Sequence, residues 1–88
     1  MIEYFKVPST VYGTEPDKIL YIRIERNRVL VIGLDDVSGK KEITAGSVDA
    51  RNDEVIQASS RQGNVSYLWS FVRPTVIAEK EFMVALMS

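Results

Sequence analysis

The chain has 88 residues, with eleven basic side chains against twelve acidic ones and a net charge of −1. That leaves room for one domain and no bulk charge to draw it to nucleic acid or a membrane. It has no cysteine, which excludes a disulfide framework and thiolate metal sites, and no histidine, which removes the usual general base at neutral pH and the commonest metal ligand.

Residues 2–7 predict a short first strand stopped by Pro8, with Thr10-Val11-Tyr12 continuing it after a break. Glu3 and Lys6 interrupt its apolar residues, so no signal peptide is expected here. The longest apolar runs, 29–34 and 82–87, are far too short to span a bilayer. The absence of cysteine is compatible with the cytoplasm and equally with a virion or the outside of a cell, so the compartment is left unassigned, cytoplasmic or virion-associated. Gly13-Thr14-Glu15-Pro16-Asp17 reads as a turn leading to the stretch around which the chain is organised.

That stretch, residues 18–34, predicts two strands joined by a tight turn at Arg26-Asn27, where Asn27 tolerates a positive φ. Leu20, Ile22 and Ile24 alternate with Tyr21, Arg23 and Glu25, the period-two pattern of a half-buried strand. Val29-Leu30-Val31-Ile32 is apolar on both faces and is expected in the middle of a sheet. With Arg26-Asn27 as the loop, Glu25 pairs with Arg28, Ile24 with Val29, and so on to Ile19 with Leu34. One face then carries Leu20, Ile22, Ile24, Val29 and Val31, and the other Ile19, Tyr21, Leu30, Ile32 and Leu34.

After a turn over residues 35–39, residues 40–45 predict a polar edge strand whose lysines discourage edge pairing. Gly46 is expected to mark a bulge or bend before residues 47–50, and Arg51-Asn52-Asp53 to turn the chain again. A strand over 54–59 leads through a loop at Arg61-Gln62-Gly63-Asn64 into a long strand over 65–73, ended by Pro74. In the tail, Val76, Ala78, Lys80, Phe82, Val84 and Leu86 alternate as a strand would, while the Ala, Glu, Lys, Met and Leu content favours a helix. Strand is the reading adopted, with a short helix as the alternative. The fold expected for residues 1–88 is all-β, a single small antiparallel barrel or sandwich of about six to eight short strands.

Few residues suggest chemistry. Val65, Tyr67, Trp69 and Phe71 share one strand face. They fit either a domain core, which so short a chain must build from large side chains, or a stacking platform for exposed bases. Core is the reading adopted for Trp69. Arg26-Asn27-Arg28, with Arg23 nearby, makes a small basic hairpin tip that fits a phosphate or an acidic partner but is ordinary for a solvated turn. Asp35-Asp36 and Asp53-Glu54 carry hard-cation chemistry, yet neither lies in a recognised calcium loop, and no metal is expected. Ser59-Ser60 has no histidine partner, and no glycine-rich phosphate loop occurs. Neither catalysis nor a cofactor is expected.

Val31-Ile32-Gly33-Leu34 closing a hairpin, followed by Glu54-Val55-Ile56 opening a strand, resembles over about half the chain the trp RNA-binding attenuation protein, a family of ring-forming β subunits. That family reads RNA with lysine and arginine on the strand that follows. Here Tyr67, Leu68, Trp69 and Ser70 stand there, so RNA binding does not carry over. The order of Val7, Thr10-Val11, Gly13-Thr14 and the later strands also resembles the pentameric vertex proteins of bacterial microcompartments. Asp49-Ala50-Arg51 stands where their glycine-rich signature would fall. Both resemblances imply only that β subunits of this size work as rings.

The function expected is a non-enzymatic assembly or binding module acting by protein–protein contact, as a homo-oligomer subunit or a virion-type structural or inhibitor protein. Its expected interface is Ile19, Tyr21, Leu30, Ile32 and Leu34, since a monomer would show water a more polar face. The tail over 82–87 is the alternative cover. The second reading is a single-stranded nucleic-acid binder using Arg23, Arg26, Arg28, Tyr67 and Trp69.

Overall fold

The computed structural model describes residues 1–8, 18–35 and 38–88. The expected continuation at Thr10–Tyr12, the turn over 13–17, and Asp36 lie outside them. The described chain forms β1 (Ile2–Pro8), β2 (Lys18–Glu25), β3 (Arg28–Asp35), β4 (Lys41–Arg51), β5 (Val55–Gln62), β6 (Val65–Val72), β7 (Thr75–Val76) and α1 (Glu79–Met87). All the strands belong to one antiparallel sheet in the order β6-β5-β4-β3-β2-β1-β7.

The all-β expectation holds, and the central hairpin has the register read from its sequence, from Glu25↔Arg28 to Ile19↔Leu34. The residue that takes the positive φ in its turn is Arg26, at 57°, rather than Asn27. Asn27 instead offers its carbonyl to the Val48 N–H at 2.8 Å, tying the turn to β4. β3 is the middle strand of the seven, as its two apolar faces require.

The sheet is open but folds over on itself. Phe5, Val7, Leu20, Ile22, Ile24, Val29 and Val31 from β1–β3 form one buried cluster with Ile56, Ala58 and Phe71 from β5 and β6. The bend runs through β4, which corrects the reading of residues 40–45 as an edge strand. β4 is continuous for 11 residues between β3 and β5. Its polarity reflects an outer face turned to water, not an unpaired edge. The bulge falls at Asp49, where the register with β5 shifts between Val48 and Ala50. Gly46 serves a different need: a Cβ there would collide with the Ser59 carbonyl oxygen, so only glycine lets the two strands come this close.

The opposite face of β1–β3 is covered by α1, which makes the tail a helix rather than the strand first read. A helix satisfies its backbone internally and can lie across a sheet face, which a strand cannot do without an edge to pair with. Phe82 and Ala85, three residues apart, are its buried stripe, and Phe82 stacks obliquely on Tyr4 at 5.3 Å. Glu79 and Glu81 sit in the first turn, where negative charge favours the helix dipole. At the other end, the Lys41 ammonium donates to the carbonyls of Leu86 (2.5 Å) and Ser88 (2.7 Å), satisfying groups the helix leaves open.

Gly46→Ala is expected to lower stability by about 1–3 kcal/mol in urea unfolding, because the neighbour it meets is backbone. Gly33→Ala is the control: its Cβ would meet only Leu20 Cδ2 at 3.5 Å. It should be neutral or stabilising by up to about 1 kcal/mol.

Candidate functional site

Two recesses among the described residues carry candidate side chains. The first is the mouth of the folded sheet, about 410 Å³, floored by Phe5 and Ile56 and edged by Arg51 and Asp53. Arg51 ends β4 and reaches across to β1. Its guanidinium makes two hydrogen bonds to the Glu3 carboxylate, at 2.8 and 3.1 Å, and lies 6.0 Å from the centre of the Phe5 ring. The hydrogen bond from Arg51 holds the Glu3 carboxyl below its ordinary value, outweighing the opposing effect of burial. The charge of Arg51 is therefore spent inside the fold, and the mouth does not present it to a ligand. The adjoining turn is held by Asn52, whose side-chain oxygen accepts the N–H groups of Glu54 and Val55.

The second recess is a groove of about 650 Å³, open to solvent, where β4 and β5 separate. The two strands pair from Arg51↔Ile56 to Ser47↔Ser59 and no further, although β4 runs back to Lys41 and β5 on to Gln62. They touch at Gly46 and part beyond it. Ser60, buried at this point, spans part of the opening by donating its hydroxyl to the Ala45 carbonyl at 2.5 Å. Arg28, Ser47 and Ser59 form one row across β3, β4 and β5. Arg61 follows two positions along β5, opposite Ser66. Tyr67 pairs with Ser60 and so lies on the other face of β6, bordering the groove through the opening between the strands.

The charge in this groove is not cancelled by its neighbours. Glu25 stands opposite Arg28 in the register, but its carboxylate lies 3.4 Å from the Arg23 guanidinium. Among the described residues, neither Arg28 nor Arg61 belongs to an ion pair, and no carboxylate lines the groove. Tyr67 is 39% exposed and its ring stacks on Trp69 at 5.9 Å, which in turn stacks on the fully buried Phe71 at 6.0 Å. The aromatic stripe thus divides between the two roles considered for it. Phe71 is core, Trp69 is half-buried against that core, and Tyr67 is surface.

Of the residues proposed to contact nucleic acid, the fold brings Arg28 and Tyr67 to the groove, stacks Trp69 behind Tyr67, and leaves Arg23 and Arg26 apart. Arg26 is exposed at the hairpin tip. Arg23 pairs with Tyr4 across β1 and β2, and a hydrogen bond to Tyr4 is the main cause raising its pKa. Arg61, Ser47, Ser59 and Ser66 were not anticipated. The alternation of Ser59 and Arg61, with Ser66 across the hairpin, was readable once Gly63-Asn64 is taken as the loop. The parting of β4 from β5 was not. Of the expected interface, Ile32 has none of its surface exposed, and Ile19, Tyr21, Leu30 and Leu34 are half-buried. The cover over Ile32 lies within the chain, because α1 packs against β1, β2 and β3. Among the described residues no three acidic side chains gather as a metal site would need. No protein-family model, no curated protein and no solved structure matches this chain.

The Glu3–Arg51 pair carries a pH signature. A carboxylate with a lowered pKa stabilises the fold above its unfolded value, near 4.5, and loses that contribution as pH falls through the folded value. Both side chains are about a third or more exposed, so screening keeps the pair near or below about 1 kcal/mol. Glu3→Gln should be less stable than the parent at pH 7, with a gap that shrinks below pH 4.5 and closes once Glu3 is protonated in the folded state. Urea midpoints measured from pH 7 to 2 check this, and a gap independent of pH would contradict it.

Proposed function

We propose that the protein is a non-enzymatic β module acting by protein–protein contact, as a subunit of a homo-oligomer. The observation that carries this reading is the outer surface of α1. Having buried Phe82 and Ala85, the helix still turns Met83, Val84 and Met87 to water, with Val84 61% and Met87 79% exposed. Met87 lies four residues from Met83 and three from Val84, the spacings at which side chains are neighbours on a helix surface. Ile43, 49% exposed, adds to them: it pairs with Ile32 on the same sheet face, two positions along β4 from Lys41, which holds the helix end. An apolar strip of this kind on a small domain is the usual mark of a contact surface. It moves the proposed contact from the hairpin face to the outside of the helix covering it.

A second reading, single-stranded nucleic-acid binding, is favoured by one specific observation: Arg28 and an exposed Tyr67 line one groove.

Light scattering at tens of micromolar is expected to give the parent a mass above that of one chain. Val84→Asp should bring it to a single chain with the β spectrum intact, because a charge is tolerated in water but not in a contact. Ile32→Asp should unfold the chain instead, since that charge would be buried under α1. A parent already monomeric at these concentrations removes the homo-oligomer reading.

A further inference from the structure

We propose that the groove between β4 and β5 binds single-stranded nucleic acid, with Arg28 and Arg61 on the phosphates and Tyr67 against a base. This rests on the second reading above and deepens it by naming the groove, the phosphate contacts and the stacking residue.

Three features of the groove point to this ligand. The first is charge that no described carboxylate pairs. In a chain of net charge −1, Lys6 lies 3.7 Å from Glu81, Arg23 3.4 Å from Glu25 and Arg51 2.8 Å from Glu3, while Lys41 caps α1. Arg28 and Arg61 stay outside these pairs and face the same recess. Two inter-strand steps and two residues of rise set their Cα atoms roughly 12 Å apart, far enough to hold separate phosphates. Guanidinium groups suit this task because their planar fork donates two parallel hydrogen bonds to phosphate oxygens.

The second feature is the hydroxyl set. Ser47, Ser59 and Ser66 lie on the same sheet face as the two arginines. They supply neutral donors to phosphate or sugar, the contacts that position a strand without reading its sequence.

The third is Tyr67, which separates a nucleic acid from a bare anion. A partly exposed ring at the end of an ordered stack, backed by Trp69 and Phe71, is a flat surface already fixed in place. Tyr67 comes from the face of β6 opposite Arg61 and Ser66, so a base reaching through the opening where β4 and β5 part can extend that stack while its phosphates stay on the arginine face. An open groove also suits a polymer passing through it better than a small molecule, which needs enclosure on most sides.

The test is fluorescence anisotropy of a labelled, unstructured thymidylate 12-mer titrated with the intact protein between 20 and 200 mM salt, with emission of Trp69 read in parallel. The parent should bind at low salt. Two phosphate contacts on a single strand predict a log–log salt slope of about −1.4. Arg28→Ala and Arg61→Ala should each flatten that slope by about 0.7. Tyr67→Ala should weaken binding roughly tenfold or more, whereas Tyr67→Phe, which keeps the ring, should bind as the parent does. Ser66→Glu replaces one groove hydroxyl by a carboxylate while both arginines and Tyr67 stay in place, and should abolish binding. Circular dichroism verifies the fold of each of the five variants, which fall at four surface positions.

No binding by the parent at 20 mM salt overturns both this inference and the reading it rests on. Binding untouched by the groove variants keeps nucleic-acid binding but removes this groove as its site. Inorganic polyphosphate binding as tightly as the 12-mer, with Tyr67→Ala silent, would falsify the stacking role. A poly-glutamate peptide competing as well as the 12-mer would assign the groove to acidic protein segments instead.

Discussion

The constraint on which the fold depends is that β3 must be covered on both faces. Val29 and Val31 point to one side and Ile32 to the other, and all three are buried. Fully burying side chains of this size is worth about 1.5–3 kcal/mol each, so leaving either face to water would forfeit much of a small domain's stability. A flat sheet of one chain cannot meet this demand. The sheet therefore folds so that β5 and β6 lie over β1–β3, and α1 crosses the remaining face. The Arg51–Glu3 pair and the Lys41 cap hold the two covers at opposite margins of the sheet.

The device that brings β5 and β6 into place also makes the groove. β4 serves as the bend because it is long, carries a bulge at Asp49 and has at Gly46 the one residue that allows contact with the Ser59 backbone. A strand that turns between two packed halves cannot stay paired with both neighbours along its whole length. It remains paired with β3 from Lys41 to Ser47 and loses β5 beyond Ser59. The recess in that gap is a consequence of closing the core. Its lining mixes arginine and serine side chains with Ala45, Tyr67 and Leu68.

Electrostatics then separates structural charge from charge open to a ligand. A near-neutral chain has no long-range attraction for polyanions, so the local arrangement decides what can bind. Where cations lie beside carboxylates they brace the termini of strands and helix. In the groove, Glu25 stands opposite Arg28 but turns its carboxylate to Arg23, and Arg28 and Arg61 share the recess with hydroxyls and an aromatic ring. The apolar strip on α1 lies at a different place on the surface, on the covering helix. The two proposed contact surfaces therefore share neither residues nor physical basis, and each can be altered without the other.

The sequence by itself determined the parts governed by short range. Period-two alternation and the Arg26-Asn27 loop specified the central register, since a slip of one residue would turn every apolar side chain outward. The turn chemistry at Asn52 and Gly63 marked the later hairpin ends, and the double-sided apolar pattern of 29–32 marked the middle strand. Only the tertiary structure decided whether the tail would be strand or helix, because its alternation and its helix propensity conflict. The choice was settled by the need to cover Ile32. It also decided that Trp69 lies between core and surface, and that Arg28 and Arg61, far apart in the chain, face one recess. These outcomes depend on how sharply β4 bends, and that bend is set by packing between distant halves of the sheet, which no local pattern encodes.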